Sequence, residues 1–332
     1  MNKFRLVYLG LAICLIASML AFACGGPAPK ETITLKAITF IPVDNPMVKG
    51  GWIFSDLVNE RSNGELIVDF IGGPEIIPGG DQPMAVMQGT IDIVYNVTAY
   101  SAPLVPEGDV LHLSQYLPWE ERENGAYDWF VETFKKMNSY YLGRMMTPNA
   151  GFFLWTKKSG VERPADLAGQ KMRTGALYDE FMRGLGIVPV NIAVPDTYSA
   201  LEQGIVDGFG QPIPVAWGMR WTEKCEYLID HEFYNQNGQI LINLDVWNKL
   251  PKHLQDLMKE AAAEQERLTW DFFEELIAKQ RVEMKDAGVQ FIKFSPADAK
   301  YYLDLAYSTS WEVTKQKVDP TTYTKLEQLL RK

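Results

Sequence analysis

Residues 167–212 read LAGQKMRTGALYDEFMRGLGIVPVNIAVPDTYSALEQGIVDGFGQP. "QKMRT" has the character of a short strand, "ALYDEFMRGLG" is apolar at helical spacing and stops on glycine, and "IVPVNI" is β-rich. "DTYSALEQGIV" is helical again and "DGFGQP" returns to a strand. Strands alternating with helices imply an open α/β sheet of parallel type. Arg173 stands at a strand end, shortly before Gly175. Its planar, permanently charged fork could clamp a carboxylate, or it could anchor a loop by pairing with Asp179 or Glu180. The local sequence leaves both open.

The same logic occurs earlier in the chain. "TLKAITF" (34–40) is a strand, "NPMVKGGWIFSDLVNERSNG" (45–64) a helix ending at Asn63-Gly64, and "ELIVDFIGG" (65–73) a strand. "GGDQPMAVMQGTIDIVYNV" (79–97) is a short helix feeding another strand. One echo links the two halves: "MQGTIDIVYN" (87–96) and "EQGIVDGFGQ" (202–211) both run helix, Gln-Gly, two residues, Asp, strand. The glycine would end the helix and the aspartate would start the strand. Both copies should deliver a strand toward the crevice between two lobes, where open α/β sheets bind ligands. Further on, "LPKHLQDLMKEAAAEQERLTWDFFEELIAKQRVEMKDAG" (250–288) has apolar residues at Leu254, Met258, Ala261, Leu268, Phe272 and Leu276. It predicts a helix over about 251–287, roughly 35 residues and about 50 Å long, a strut crossing both lobes. Two helices with a break are the alternative. The expected division is lobe I over 34–155, lobe II over 156–240, and a return to lobe I with C-terminal helices over 241–332.

The first 23 residues carry Lys3, Arg5 and then an apolar run, which is a secretory signal segment and not part of the fold. "AFA" before Cys24 fits an ordinary cleavage site, and "LAFAC" also resembles a lipoprotein box, to which Phe22 is a poor fit; the tether "CGGPAPKE" within 24–33 favours lipidation of Cys24 and anchoring at the outer face of a membrane. Cys14 leaves with the signal, so Cys225 is the one cysteine of the folded part and reads as a small buried hydrophobe. Of 332 residues, 47 % are hydrophobic and 22 % charged, an ordinary globular composition. Loss of residues 1–23 removes two positive charges and no negative ones, taking the formal charge from −10 to −12. That acidity argues against a nucleic-acid or anionic-membrane partner, so any anion site must be built from locally placed cations. No later apolar run reaches the ~20 residues of a membrane helix.

Catalytic signals are missing. His112, His231 and His253 lack metal-ligand spacing, and no nucleophile elbow, dinucleotide fingerprint or phosphate loop occurs. The carboxylate pairs Glu120-Glu121 and Glu274-Glu275 read as solvated faces. An exported two-lobe chain of this kind reads as a binder rather than an enzyme, with no cofactor.

At this point the span 33–310 resembles the solute-binding proteins of tripartite ATP-independent periplasmic (TRAP) transporters, of the DctP type. The resemblance is carried by "FSDLVNERSNGELIVDFIGG", "MAVMQGTIDIVYNVTAYSAPLVPE" and above all by the stretch 167–212. It implies a two-lobe, periplasmic-binding-protein-like α/β fold (type II-like) with hinge strands and a lobe-spanning helix, closing on a small organic acid in the inter-lobe cleft. It implies that Arg173 pairs with the ligand carboxylate. A stretch of "NGxR" or "GxR" type before the second lobe often supplies another arginine; here "NAGFFLW" is read as placing Phe153 there. The first-lobe loop supplies Asn96, Val97 and Tyr100, and Gln211 stands where the family frequently has Asn. Phe153, Tyr100, Trp155 and Trp217 are candidate walls of the pocket, although nine tryptophans and fifteen tyrosines make core aromatics inevitable. The metal-assisted branch of the family has a carboxylate after the Asp-Gly strand; here Trp217 is followed by Gly218, so no metal is expected. The expected ligand is an acid with one carboxylate and an apolar or aromatic body, and the expected partners are the small and large TRAP permease subunits, served by a monomeric receptor. A receptor presenting its ligand to a membrane sensor kinase is the alternative, and a periplasmic enzyme acting on carboxylic acids is a more distant one.

Overall fold

A computed structural model describes residues 32–175 and 177–332. The signal segment and Cys24 lie outside the described residues. The strands are β1 (Ile33–Thr39), β2 (Leu66–Gly72), β3 (Ile93–Val97), β4 (Ser139–Arg144), β5 (Phe152–Thr156), β6 (Lys171–Thr174), β7 (Val188–Asn191), β8 (Gly208–Gln211), β9 (Tyr227–Phe233), β10 (Gly238–Asn243) and β11 (Gln290–Ile292). They form two sheets, ordered β2-β1-β3-β10-β4 in the first lobe and β11-β9-β5-β8-β6-β7 in the second. Central strands are buried on both faces, as in β3 and β10, which is why their sequences do not alternate between apolar and polar residues.

The sequence echo is a structural repeat. Gly89 and Gly204 lie in the left-handed region at φ 73° and 71°, each just past a short helix. Only glycine adopts that conformation without strain. In both copies a 6→1 bond closes the turn, Thr90 N–H to Ala85 O and Ile205 N–H to Ala200 O. The aspartates then act alike: Asp92 accepts from the Lys36 amide at 2.8 Å and Asp207 from the Lys171 amide at 2.9 Å. The parallel register is the same too, Ala37 opposite Ile93 and Met172 opposite Gly208.

Lys252–Asp286 forms one unbroken helix of 35 residues, so the two-helix alternative does not hold. In the first lobe Arg61 grips Glu264 with two bonds of 2.7 Å, and Arg122 grips the buried Glu266 at 2.8 and 2.9 Å. In the second, the Trp217 indole donates to Glu283 at 3.1 Å and Arg281 pairs with Asp230 at 2.8 Å. Next to Glu266 lies the fully buried Arg144, bidentate to Glu121 and donating to the carbonyls of Gln236 and Leu111. Glu121 is therefore no solvated residue: its partner sits 23 positions away on β4. Glu120 does stay at the surface, capping its helix and pairing with Lys332. Glu274 and Glu275 are exposed.

The lobe boundaries differ from the expectation. β5 belongs to the second sheet, so the chain crosses within 145–151, before Phe152 and not at 155. It crosses back within 234–237, between β9 and β10. After the long helix β11 pairs in parallel with β9, so this segment returns to the second lobe, and only then do the helices Pro296–Lys317 and Pro320–Leu330 follow. Pro296–Lys317 packs against both lobes at the crossing: Tyr234 donates to the Ala306 carbonyl at 2.7 Å, and the His112 ring is hydrogen-bonded to Ser310 at 2.8 Å.

Candidate functional site

A cavity of 840 Å³ opens between the sheets. The first lobe contributes Phe40, Met47, Val97, Tyr100 and Asp109; the second contributes Phe152, Arg173, Tyr178, Gln211 and Met219; Gln236 comes from the crossing. Most of the surface is hydrocarbon or aromatic, with few polar groups, the usual make-up of a small-molecule site.

Arg173 is the penultimate residue of β6 and is 5 % exposed. Its Nε donates to the Ile192 carbonyl at 2.9 Å, and an Nη donates to the Tyr178 hydroxyl at 3.5 Å. Its guanidinium also sits 5.8 Å from the Trp221 ring centre. The Tyr178 proton goes to the Gly210 carbonyl, which leaves the phenol oxygen free to accept from Arg173. Burial raises the Tyr178 pKa, and the neighbouring Arg173 offsets part of that rise. Gly210 is required for this contact, since a Cβ there would lie 2.5 Å from the tyrosine ring. Among the described residues Arg173 has no carboxylate partner. Asp179 instead accepts from Thr174 at 2.7 Å, and Arg183 takes Glu180, so the loop-anchor reading of Arg173 finds no acid. The guanidinium is oriented by neutral acceptors, with its charge left for something in the cavity.

Gln211 ends β8 with its side-chain amide unbonded among the described residues, able to donate and to accept. Val97 and Tyr100 line the opposite wall, the tyrosine edge-on to Phe40 at 6.2 Å. The other four candidates lie elsewhere. Asn96 is fully buried and spends its amide on the Gly79 carbonyl and Gln82, at 3.0 and 2.9 Å. Trp155 is buried in the sheet, stacked on Phe209 at 5.5 Å and donating to the Gln211 carbonyl. Trp217 turns to the long helix. Phe153 points away from the cavity, under Arg281 at 5.4 Å, and Phe152 lines it instead. Alternate residues of a strand face opposite sides, so a one-residue misplacement exchanges wall for core.

Sequence reasoning also missed Tyr178, Asp109, Lys317 and the turn 191–195. Counting "NGxR" from Asn149 lands on Phe152, a signal that could have found it. Tyr178 and Asp109 carry no local signature. Arg173 is not the sole cation of the cavity, because Lys317, the last residue of the Pro296–Lys317 helix, also lines it. Among the described residues no group of three His, Cys, Asp or Glu side chains is placed to hold a metal ion. Cys225 is buried away from the cavity, its thiol pushed up to about 12 by burial.

Two α/β lobes joined by crossing strands around a cleft with a buried, oriented arginine define an extracytoplasmic solute-binding protein. The chain belongs to the DctP family, bacterial extracellular solute-binding protein family 7, which it matches over residues 39–306. It is 25 % identical over 292 residues to the C4-dicarboxylate-binding periplasmic protein DctP of Rhodobacter capsulatus, covering 82 % of this chain and 83 % of that protein. It is 25 % identical over 258 residues to a monocarboxylate 2-oxoacid-binding periplasmic protein of Nostoc, covering 72 % and 67 %. A TRAP periplasmic solute-binding protein from Desulfovibrio salexigens, solved with bound orotic acid, superposes with a TM-score of 0.78 at 20 % identity, covering 90 % of this chain and 99 % of that one.

Proposed function

We propose that this protein is an exported TRAP receptor, lipid-anchored through Cys24, that captures an organic acid with one carboxylate and an apolar or aromatic body and delivers it to the membrane permease as a monomer. The observation that carries the reading is Arg173: a charged fork on an apolar cavity wall, held by a carbonyl and a phenol and paired with no acid among the described residues. A carboxylate receives two parallel, charge-assisted bonds from such a fork. Phe152 occupies the wall where the resemblance implies that a second arginine is frequent, so a further ligand carboxylate there would lose its water for hydrocarbon, a cost of a few kcal/mol. Carboxylate-binding relatives and the orotate-bound neighbour support an organic acid as ligand, and the monocarboxylate-binding relative supports a single carboxylate. Closure of the lobes on the acid is a hinge motion.

A thermal-shift panel tests the ligand class. Aromatic and branched monocarboxylates should raise the melting temperature; a strong shift with succinate or a sialic acid and none with these acids overturns the reading. Mass spectrometry of the ligand that co-purifies identifies the compound.

A further inference from the structure

The cavity is not apolar throughout. It shares Asp109, Leu177 and Lys317 with a second cavity of 480 Å³ whose wall mixes apolar side chains such as Phe181 and Val313 with polar ones including His112, Asp179 and Glu180. The hydrocarbon middle of the cleft therefore borders a more polar compartment at Asp109. This residue follows the 3-10 turn Pro106–Gly108 of the first lobe, whereas Arg173 belongs to the second. Among the described residues the Asp109 carboxylate has one side-chain hydrogen-bond partner, the Thr98 hydroxyl, which donates to Oδ1 at 3.1 Å. Lys317 contributes a nearby positive charge, but neither residue forms an ion pair among the described residues. Oδ2 thus keeps its acceptor capacity in a half-buried place on the cavity wall. A carboxylate so placed repels a second anionic group and rewards a donor.

We propose that Asp109 is a specificity-determining residue that accepts a hydrogen bond from a hydroxyl or amino group on the ligand, at the end away from the carboxylate held by Arg173. The proposal rests on the Arg173 clamp. The ligand then spans the cleft, its acid end on the second lobe and its donor end on the first, and each lobe holds one end of it.

The test is calorimetry with the mature chain and matched pairs of monocarboxylates: phenylpropanoate against its para-hydroxyl analogue, and hexanoate against its terminal amino analogue. The donor-bearing member should bind at least about tenfold more tightly. Asp109→Asn keeps the shape and removes the charge, and should shrink that preference; Asp109→Ala removes the acceptor and should abolish it. Retained binding of the plain members shows that both variants fold. Equal binding of the two members by the unaltered protein, or a preference that survives Asp109→Ala, overturns the proposal while leaving the clamp in place. If no member of either pair binds, the clamp reading falls and the proposal with it.

Discussion

Arg173 is oriented before any ligand arrives, because the Ile192 carbonyl and the Tyr178 hydroxyl fix two of its donors. Preorganised donors lose little freedom on binding. We expect Arg173→Ala to weaken monocarboxylate binding by about 2–5 kcal/mol in calorimetry. Arg173→Lys should recover only part of that, since an ammonium cannot offer two parallel bonds; unchanged affinity in either variant removes the clamp. Phe152 gives a second expectation. Phe152→Arg places a cation on the cavity wall and should move preference from mono- toward dicarboxylates in the same assay. Phe153→Arg should leave preference unchanged and lower stability instead, by setting a second guanidinium against Arg281. At this scale the sequence was partly legible. Arg173 and Gln211 were readable because the pattern around them is long and ordered. Phe152 was confused with its neighbour because two adjacent identical residues carry no mark of which way each faces. Asp109 and Tyr178 reach the cavity through loop geometry that local sequence does not encode.

The helices and strands were largely readable from their periods, including the two copies of the strand–helix–strand unit and the long helix within a residue or so of its ends. What was hidden is long-range pairing. "PWEEREN" looks like a surface helix, yet Glu121 and Arg122 meet Arg144 and Glu266 in a buried quartet that binds β4 to the long helix. Likewise β11 is too short to announce which sheet it joins. Removing one member of a buried ion pair strands the other, so Glu121→Leu or Arg144→Met should destabilise the fold by about 3–5 kcal/mol in urea unfolding. The double replacement Glu121→Leu/Arg144→Met should cost less than the sum, because no unpaired charge remains between the two. Additive losses would show that the pair is uncoupled.

For the whole molecule, the place where the chain passes between lobes is also where acid should act. His112 is buried there, bonded to Ser310 and edge-on to Tyr234. Burial pulls its pKa down from 6.5 to about 3, with the charges of Lys317 and Arg144 adding to the fall. The unfolded chain takes up this proton near 6.5 and the folded chain only near 3, so stability is lost as pH falls through that window. His112→Gln cannot titrate and can still bond Ser310. Its unfolding midpoint should fall less than that of the natural sequence between about pH 7 and pH 4; parallel falls would assign the effect to carboxylates alone. The long helix bears on the motion itself. A rod of about 50 Å, tied to one lobe through Glu264 and Glu266 and to the other through Arg281 and Glu283, does not lengthen or shorten appreciably. The anchor points of the two lobes then keep their spacing along it, so closure turns the lobes about these points instead of sliding them together. Spin labels at Asn63 and Asp286 should hold their separation when ligand binds, while labels on the rims at Pro103 and Pro195 draw together.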